Sequence, residues 1–185
     1  MLKRILPFTV LGLLTAGVAH ADDLSVRESA TPSDPRVAIT VSPLHLFVPM
    51  AEVTAEVRAD HKLGIAVIGG VGTFHDPDTN ARISLVEAGA SARYYALGSF
   101  RTGLQLGAEV LYVHGFTDAM NIEVKAAGLA VSPFAGYKWT HSSGLTLEGQ
   151  LGASYMAVRA KAETGQMAEK SKLGPLLNLQ IGYSF

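Results

Sequence analysis

Leu177-Asn178-Leu179-Gln180-Ile181-Gly182-Tyr183-Ser184-Phe185 alternates without a break between two kinds of residue. Leu, Leu, Ile, Tyr and Phe fall on one side of an extended chain, and Asn, Gln, Gly and Ser on the other. A helix of 3.6 residues per turn would scatter these residues around its circumference, so the stretch is a strand with two unlike faces.

The same period runs back through the chain. Leu145 to Val158 sets Leu145, Leu147, Leu151, Ala153 and Tyr155 against Thr146, Glu148, Gln150 and Ser154. Gly128 to Trp139 sends Leu129, Val131, Ala135, Tyr137 and Trp139 one way, and Ser132, Gly136 and Lys138 the other. Arg101 to Val113 opposes Leu104, Leu106, Ala108, Val110 and Tyr112 to Arg101, Gln105, Gly107 and Glu109. Leu85 to Leu97 opposes Val86, Ala88, Ala90, Ala92 and Tyr94 to Glu87, Gly89, Ser91 and Arg93. Leu63 to Gly72 and Ala51 to Ala59 alternate in the same way, the latter placing Glu52, Thr54, Glu56 and Arg58 on its polar face. A first, less regular strand is expected over Val37 to Val48, where Pro43 interrupts the pattern. The total is eight strands.

The connections give an independent test. Asp60-His61-Lys62, Gly98-Ser99-Phe100 and His141-Ser142-Ser143-Gly144 are tight, whereas Thr73 to Ser84, Gly115 to Ala126 and Arg159 to Lys172 are each about a dozen residues. Short and long alternate, as they do in bacterial outer-membrane barrels. The link near Pro49-Met50 is the exception, being expected as very short where the alternation requires an outer loop. Within the last outer loop, Ala160 to Lys172 carries mixed charge and is expected to be exposed, with a short helical turn.

Composition agrees. The 185 residues are 48% apolar and only 17% charged, with a net charge of -1 and no cysteine. A nucleic-acid partner is disfavoured because no basic excess exists to neutralise phosphate, and disulfides, thiolate nucleophiles and sulfur-ligated metals are excluded. Met1 to Ala21 has the basic start, apolar run and Ala19-His20-Ala21 ending of a secretory signal peptide. Residues 22–35 are polar and aperiodic and are expected to be a disordered periplasmic leader. Residues 36–185 are then the barrel.

A bilayer tolerates only helices and closed barrels, because unpaired backbone groups are costly in hydrocarbon. The fold expected is therefore an all-β, eight-stranded antiparallel up-and-down transmembrane β-barrel in the bacterial outer membrane. Its apolar faces would meet lipid, with Tyr94, Tyr137, Trp139 and Tyr183 girdling the periplasmic side and Tyr112 and Tyr155 the outer side. Its polar faces collect Glu52, Glu56, Arg58, Glu87, Arg93, Arg101, Glu109, Lys138 and Glu148 as a charge network in the lumen. Eight strands enclose a space that side chains just fill, so the expected role is structural or surface interaction, without catalysis. The alternatives are a narrow pore gated by Arg93, Glu109 and Lys138, a lipid-modifying enzyme, and a soluble periplasmic barrel binding an apolar ligand with its faces inverted.

From Val37 to Phe185 the chain resembles the small eight-stranded outer-membrane barrel proteins, the class of the OmpA membrane domain and OmpX. Leu179, Ile181, Tyr183 and Phe185 are its most specific residues. The resemblance implies that this last strand is the signal read by the barrel assembly machinery during biogenesis. Outer-membrane lipid and lipopolysaccharide are the other expected partners.

Signals for other chemistry are weak. Asp76-Pro77-Asp78-Thr79-Asn80 with Glu87 has calcium-loop spacing, but Ala81 stands where the turn needs glycine and Pro77 stiffens the loop. His45, His61, His75, His114 and His141 are scattered, without the spacing that places two imidazoles on one metal. No metal or cofactor is expected.

Overall fold

The computed structural model describes residues 34–46, 49–75, 82–119, 122–162 and 167–185. The period-two segments form β1 (Val37–Val41), β2 (Met50–Asp60), β3 (Leu63–His75), β4 (Arg82–Gly98), β5 (Thr102–Ala119), β6 (Ile122–Thr140), β7 (Leu145–Ala162) and β8 (Met167–Ser184). Each pairs antiparallel with the next, and β8 pairs with β1, giving a closed up-and-down barrel. Residues 1–21, expected as a signal peptide, residues 22–33 of the expected leader, and the Asp76–Asn80 stretch lie outside the described residues.

The register sets the barrel's proportions. Following cross-strand partners from Thr40 through Thr54, Ile68, Gly89, Leu111, Ala130 and Met156 leads to Lys172, yet Thr40 itself pairs with Gly182. The strands are thus staggered by ten residues over one circuit, from Lys172 to Gly182. With eight strands about 4.8 Å apart, that stagger tilts them by roughly 40°. The seam closes on backbone bonds, Phe185 N–H donating to Val37 O at 2.8 Å and Arg36 N–H to Phe185 O at 2.5 Å.

Two features depart from the sequence expectations. The first strand stops at Val41, because Pro43 has no N–H for the ladder. Proline suits the first position of a helix instead, and Pro43–Leu46 forms a single turn, α1. The β1–β2 connection therefore spans residues 42–49 and is not a tight link, which removes the exception in the loop alternation. Conversely, β5 to β8 run to 18 or 19 residues and absorb most of the expected outer loops. The described residues of the Ala160 to Lys172 stretch are strand, not helix. Outward residues such as Lys125, Arg159 and Glu169 are polar there, so the apolar alternation ends while backbone pairing, which is indifferent to side chains, continues.

The short connections lie together at one end, called here the turn end. Gly98 and Gly144 have φ of 84° and 95°, values that L side chains rarely adopt. A side chain at Gly144 would also strike the Tyr183 ring.

The barrel has its polar residues inside. Buried side chains include Glu52, Glu56, Glu87, Arg93, Gln105, Glu109, Lys138, Glu148, Gln150, Asn178 and Gln180, whereas Val53, Val67, Leu106, Val110, Val131, Leu151 and Leu177 are exposed on the outside. The buried apolar cluster is small: Ala38, Tyr95 and Phe100 at the turn end.

Candidate functional site: the barrel interior

Because inward positions recur every second residue on all eight strands, the lumen gathers side chains far apart in sequence. Near the turn end, Glu56 of β2, Arg93 and Tyr95 of β4, Lys138 of β6 and Glu148 of β7 meet. Arg93 Nη1 donates to Glu148 Oε1 at 2.7 Å and to Glu56 Oε2 at 3.3 Å. Lys138 Nζ donates to Glu56 Oε2 at 2.7 Å, and the Tyr95 hydroxyl to Glu56 Oε1 at 2.8 Å. Gln150 Nε2 donates to Glu148 Oε1 at 2.5 Å. Two cations thus meet two anions, and every one of these side chains is buried. Phe100, carried inward by the β4–β5 turn, seats its ring 3.7 Å from Lys138 Nζ, adding a cation–π contact.

Toward the loop end the composition changes. A neutral ladder comes first: Thr40 Oγ1 donates to Gln180 Oε1 at 3.0 Å, and Gln180 Nε2 to Thr54 Oγ1 at 3.2 Å. Ser42 Oγ donates to Asn178 Oδ1 at 2.7 Å, and Asn178 Nδ2 to Glu52 Oε1 at 3.2 Å. Beyond it lie three buried acids, Glu52, Glu87 and Glu109, with His45 of α1. Among the described residues no Arg or Lys forms an ion pair with any of the three.

Of the nine charges predicted to share the lumen, seven face it and are buried: Glu52, Glu56, Glu87, Arg93, Glu109, Lys138 and Glu148. They form two groups and not one network. Arg58 and Arg101 stand apart from both. Arg58 keeps the inward parity of Glu52, Thr54 and Glu56 but sits at the rim near the end of β2, 3.5 Å from Asp34. Arg101 lies in the β4–β5 turn, beside Pro35, His141 and Tyr183. The aromatic residues Tyr94, Tyr112, Tyr137, Trp139, Tyr155 and Tyr183 all point outward, each between 39% and 52% exposed. On the last strand Leu179, Ile181 and Tyr183 do the same, as does Phe185.

Sequence reasoning missed Tyr95, Phe100 and His45 as interior residues. Tyr95 continues the inward series 87, 89, 91, 93, so alternation carried its signal. Phe100 and His45 lie in connections, where no period applies. His141 Nδ1 accepts from the Ser143 N–H at 3.2 Å and lies 3.0 Å from Ser143 Oγ within an exposed turn, and the His114 and Phe116 rings are 6.4 Å apart. Glu87, the twelfth position of the calcium-like spacing, is committed to the lumen.

No protein-family model, curated protein or solved structure matches this chain. The reading of function rests on the geometry.

Proposed function

We propose that the chain is an integral outer-membrane β-barrel with a filled polar interior, whose outer hairpins stand clear of the bilayer for structural or surface-interaction roles without catalysis. One observation carries this reading: a closed barrel turns its charges inward and a continuous apolar belt outward. On β6 the belt runs Leu129, Val131, Pro133, Ala135, Tyr137, Trp139, bounded by Lys125 on the loop side and His141 on the turn side. Eleven residues tilted by roughly 40° rise about 25 Å, the height of the apolar band on such barrels. On β8 Leu173 to Tyr183 spans the same count, with Ser171 and Glu169 beyond it. The tyrosines and Trp139 fall near the belt's two margins, where amphipathic rings favour a membrane–water interface. A soluble barrel with this surface would expose far more contiguous apolar area than a monomer tolerates.

The filled interior is supported by Tyr95, Phe100, Arg93, Glu56, Lys138 and Glu148, all at most 3% exposed and joined across the barrel. A pore would need these groups to part. Partition of expressed protein tests the reading. The protein is expected in the outer-membrane fraction, soluble only with detergent, and migrating differently on a gel before and after boiling, since a closed ladder resists SDS until heated. Planar-bilayer conductance is expected to stay at baseline. A soluble periplasmic band without heat shift would overturn the membrane assignment, and reproducible solute-sized steps would overturn the filled interior.

A further inference from the structure

We propose that His45, Glu52 and Glu87 form a binding site for a divalent transition-metal cation of the zinc type, which fastens α1 to the barrel wall. The three residues come from α1, β2 and β4, and each offers one ligand atom, all within 4.8 Å of one another. His45 Nδ1 is 3.1 Å from Glu52 Oε2, within ion-pair reach when the imidazole is protonated. A separation near 3.1 Å is close to the edge of a coordination shell with bonds of about 2.0–2.2 Å to imidazole and carboxylate.

The second observation is Glu87. It is 6% exposed, and its Oε1 has no hydrogen-bond partner. Its carboxylate lies over Gly70, where any side chain would collide with it, so β3 leaves room for the acid but supplies no donor. Two carboxylates held together away from water cannot both stay ionised without a counter-charge. At the turn end Arg93 and Lys138 provide it; here no described Arg or Lys does, and His45 beside Glu52 is the one member of the trio that can carry positive charge. A cation between the two carboxylates and the imidazole satisfies Glu87 and brings His45 and Glu52 into one coordination shell. An oxygen-only set would suit calcium or magnesium, but an imidazole nitrogen with two carboxylates suits zinc, iron(II) or manganese. The inference does not depend on the barrel's location.

The full-length protein, purified in detergent and stripped with chelator, is titrated with zinc chloride by calorimetry, and cobalt(II) absorption reports the ligand field. One equivalent is expected to bind, with at least a tenfold loss of affinity in His45→Gln and again in Glu87→Gln. Glu109→Gln, a buried acid outside the trio, is expected to bind within twofold of the parent. The gel heat shift shows that each variant remains a closed barrel, and if His45→Gln fails that check, Glu87→Gln alone decides. No stoichiometric uptake by the unsubstituted protein would overturn the site and leave a shared proton between the two acids. Uptake that survives Glu87→Gln unchanged would also overturn it, placing the metal elsewhere, for example at the turn histidines His61 or His141.

Discussion

The two ends of the lumen solve the same problem differently. At the turn end each buried charge has an opposite partner: Glu56 accepts from Arg93, Lys138 and Tyr95, and Glu148 from Arg93 and Gln150. At the loop end Glu52 leans on Asn178 and His45, and one Glu87 oxygen has no bonded partner. Burying charge is costly unless opposite charges and hydrogen bonds compensate it. The turn end is therefore a charge-balanced layer, although Glu148 Oε2 and Gln150 Oε1 lack hydrogen-bond partners as Glu87 Oε1 does. The loop end is incomplete within the described residues and is where a bound species would matter.

The strongest way to break this contrast is to unbalance the complete layer. Glu56→Ala leaves Lys138 buried without its 2.7 Å carboxylate and removes the Tyr95 acceptor. Removing one partner of a buried pair costs about 3–5 kcal/mol, so a loss of that size is expected in urea unfolding of the barrel in lipid vesicles. Lys138→Met leaves Glu56 its bonds from Arg93 and Tyr95, and is expected to cost less. Equal effects from the two changes would show that the layer is held by packing and not by charge balance.

The legible part of this barrel was whatever repeats every second residue. Strand number, the polar and apolar faces, and seven of the nine lumen charges all follow from alternation between Val37 and Phe185. What alternation could not show was anything set by an interruption. Pro43 turns the expected end of β1 into α1 and so delivers His45 to Glu52. Phe100 enters the lumen from a turn that reads only as tight. Strand ends were misplaced for a related reason. Hydrophobic pattern marks where a strand meets an apolar medium, while hydrogen bonding marks where it stops, and in β5 to β8 the second runs well past the first.

The inner and outer faces invite the same test from the other side. Ala135 lies on the outer face at the middle of the β6 belt. If that belt meets hydrocarbon, Ala135→Arg is expected to destabilise the barrel by about 2–4 kcal/mol in vesicles. Should Ala135→Arg fall within about 0.5 kcal/mol of the parent, as is usual for water-exposed surface sites, the membrane assignment fails while the fold stands.

The smallest expected effect is the sharpest for the two halves of the lumen. Glu87→Gln removes a carboxylate that has an unbonded oxygen and lies near another acid, with the amide retaining its shape over Gly70. In chelator, the substitution is expected to be neutral or stabilising by about 1 kcal/mol or less, since a buried acid without a cation is either repelled by Glu52 or already protonated. That sign is opposite to the one expected for Glu56→Ala, although both remove a buried glutamate facing the same lumen. With zinc present the order should reverse. A ligand held only by the folded state adds about 2.7 kcal/mol at a hundredfold excess over its dissociation constant. The parent should gain that increment, and Glu87→Gln should gain little of it. If Glu87→Gln instead destabilises the chelated protein by several kcal/mol, Glu87 is a structural partner like Glu56, and the two ends of the lumen are built alike.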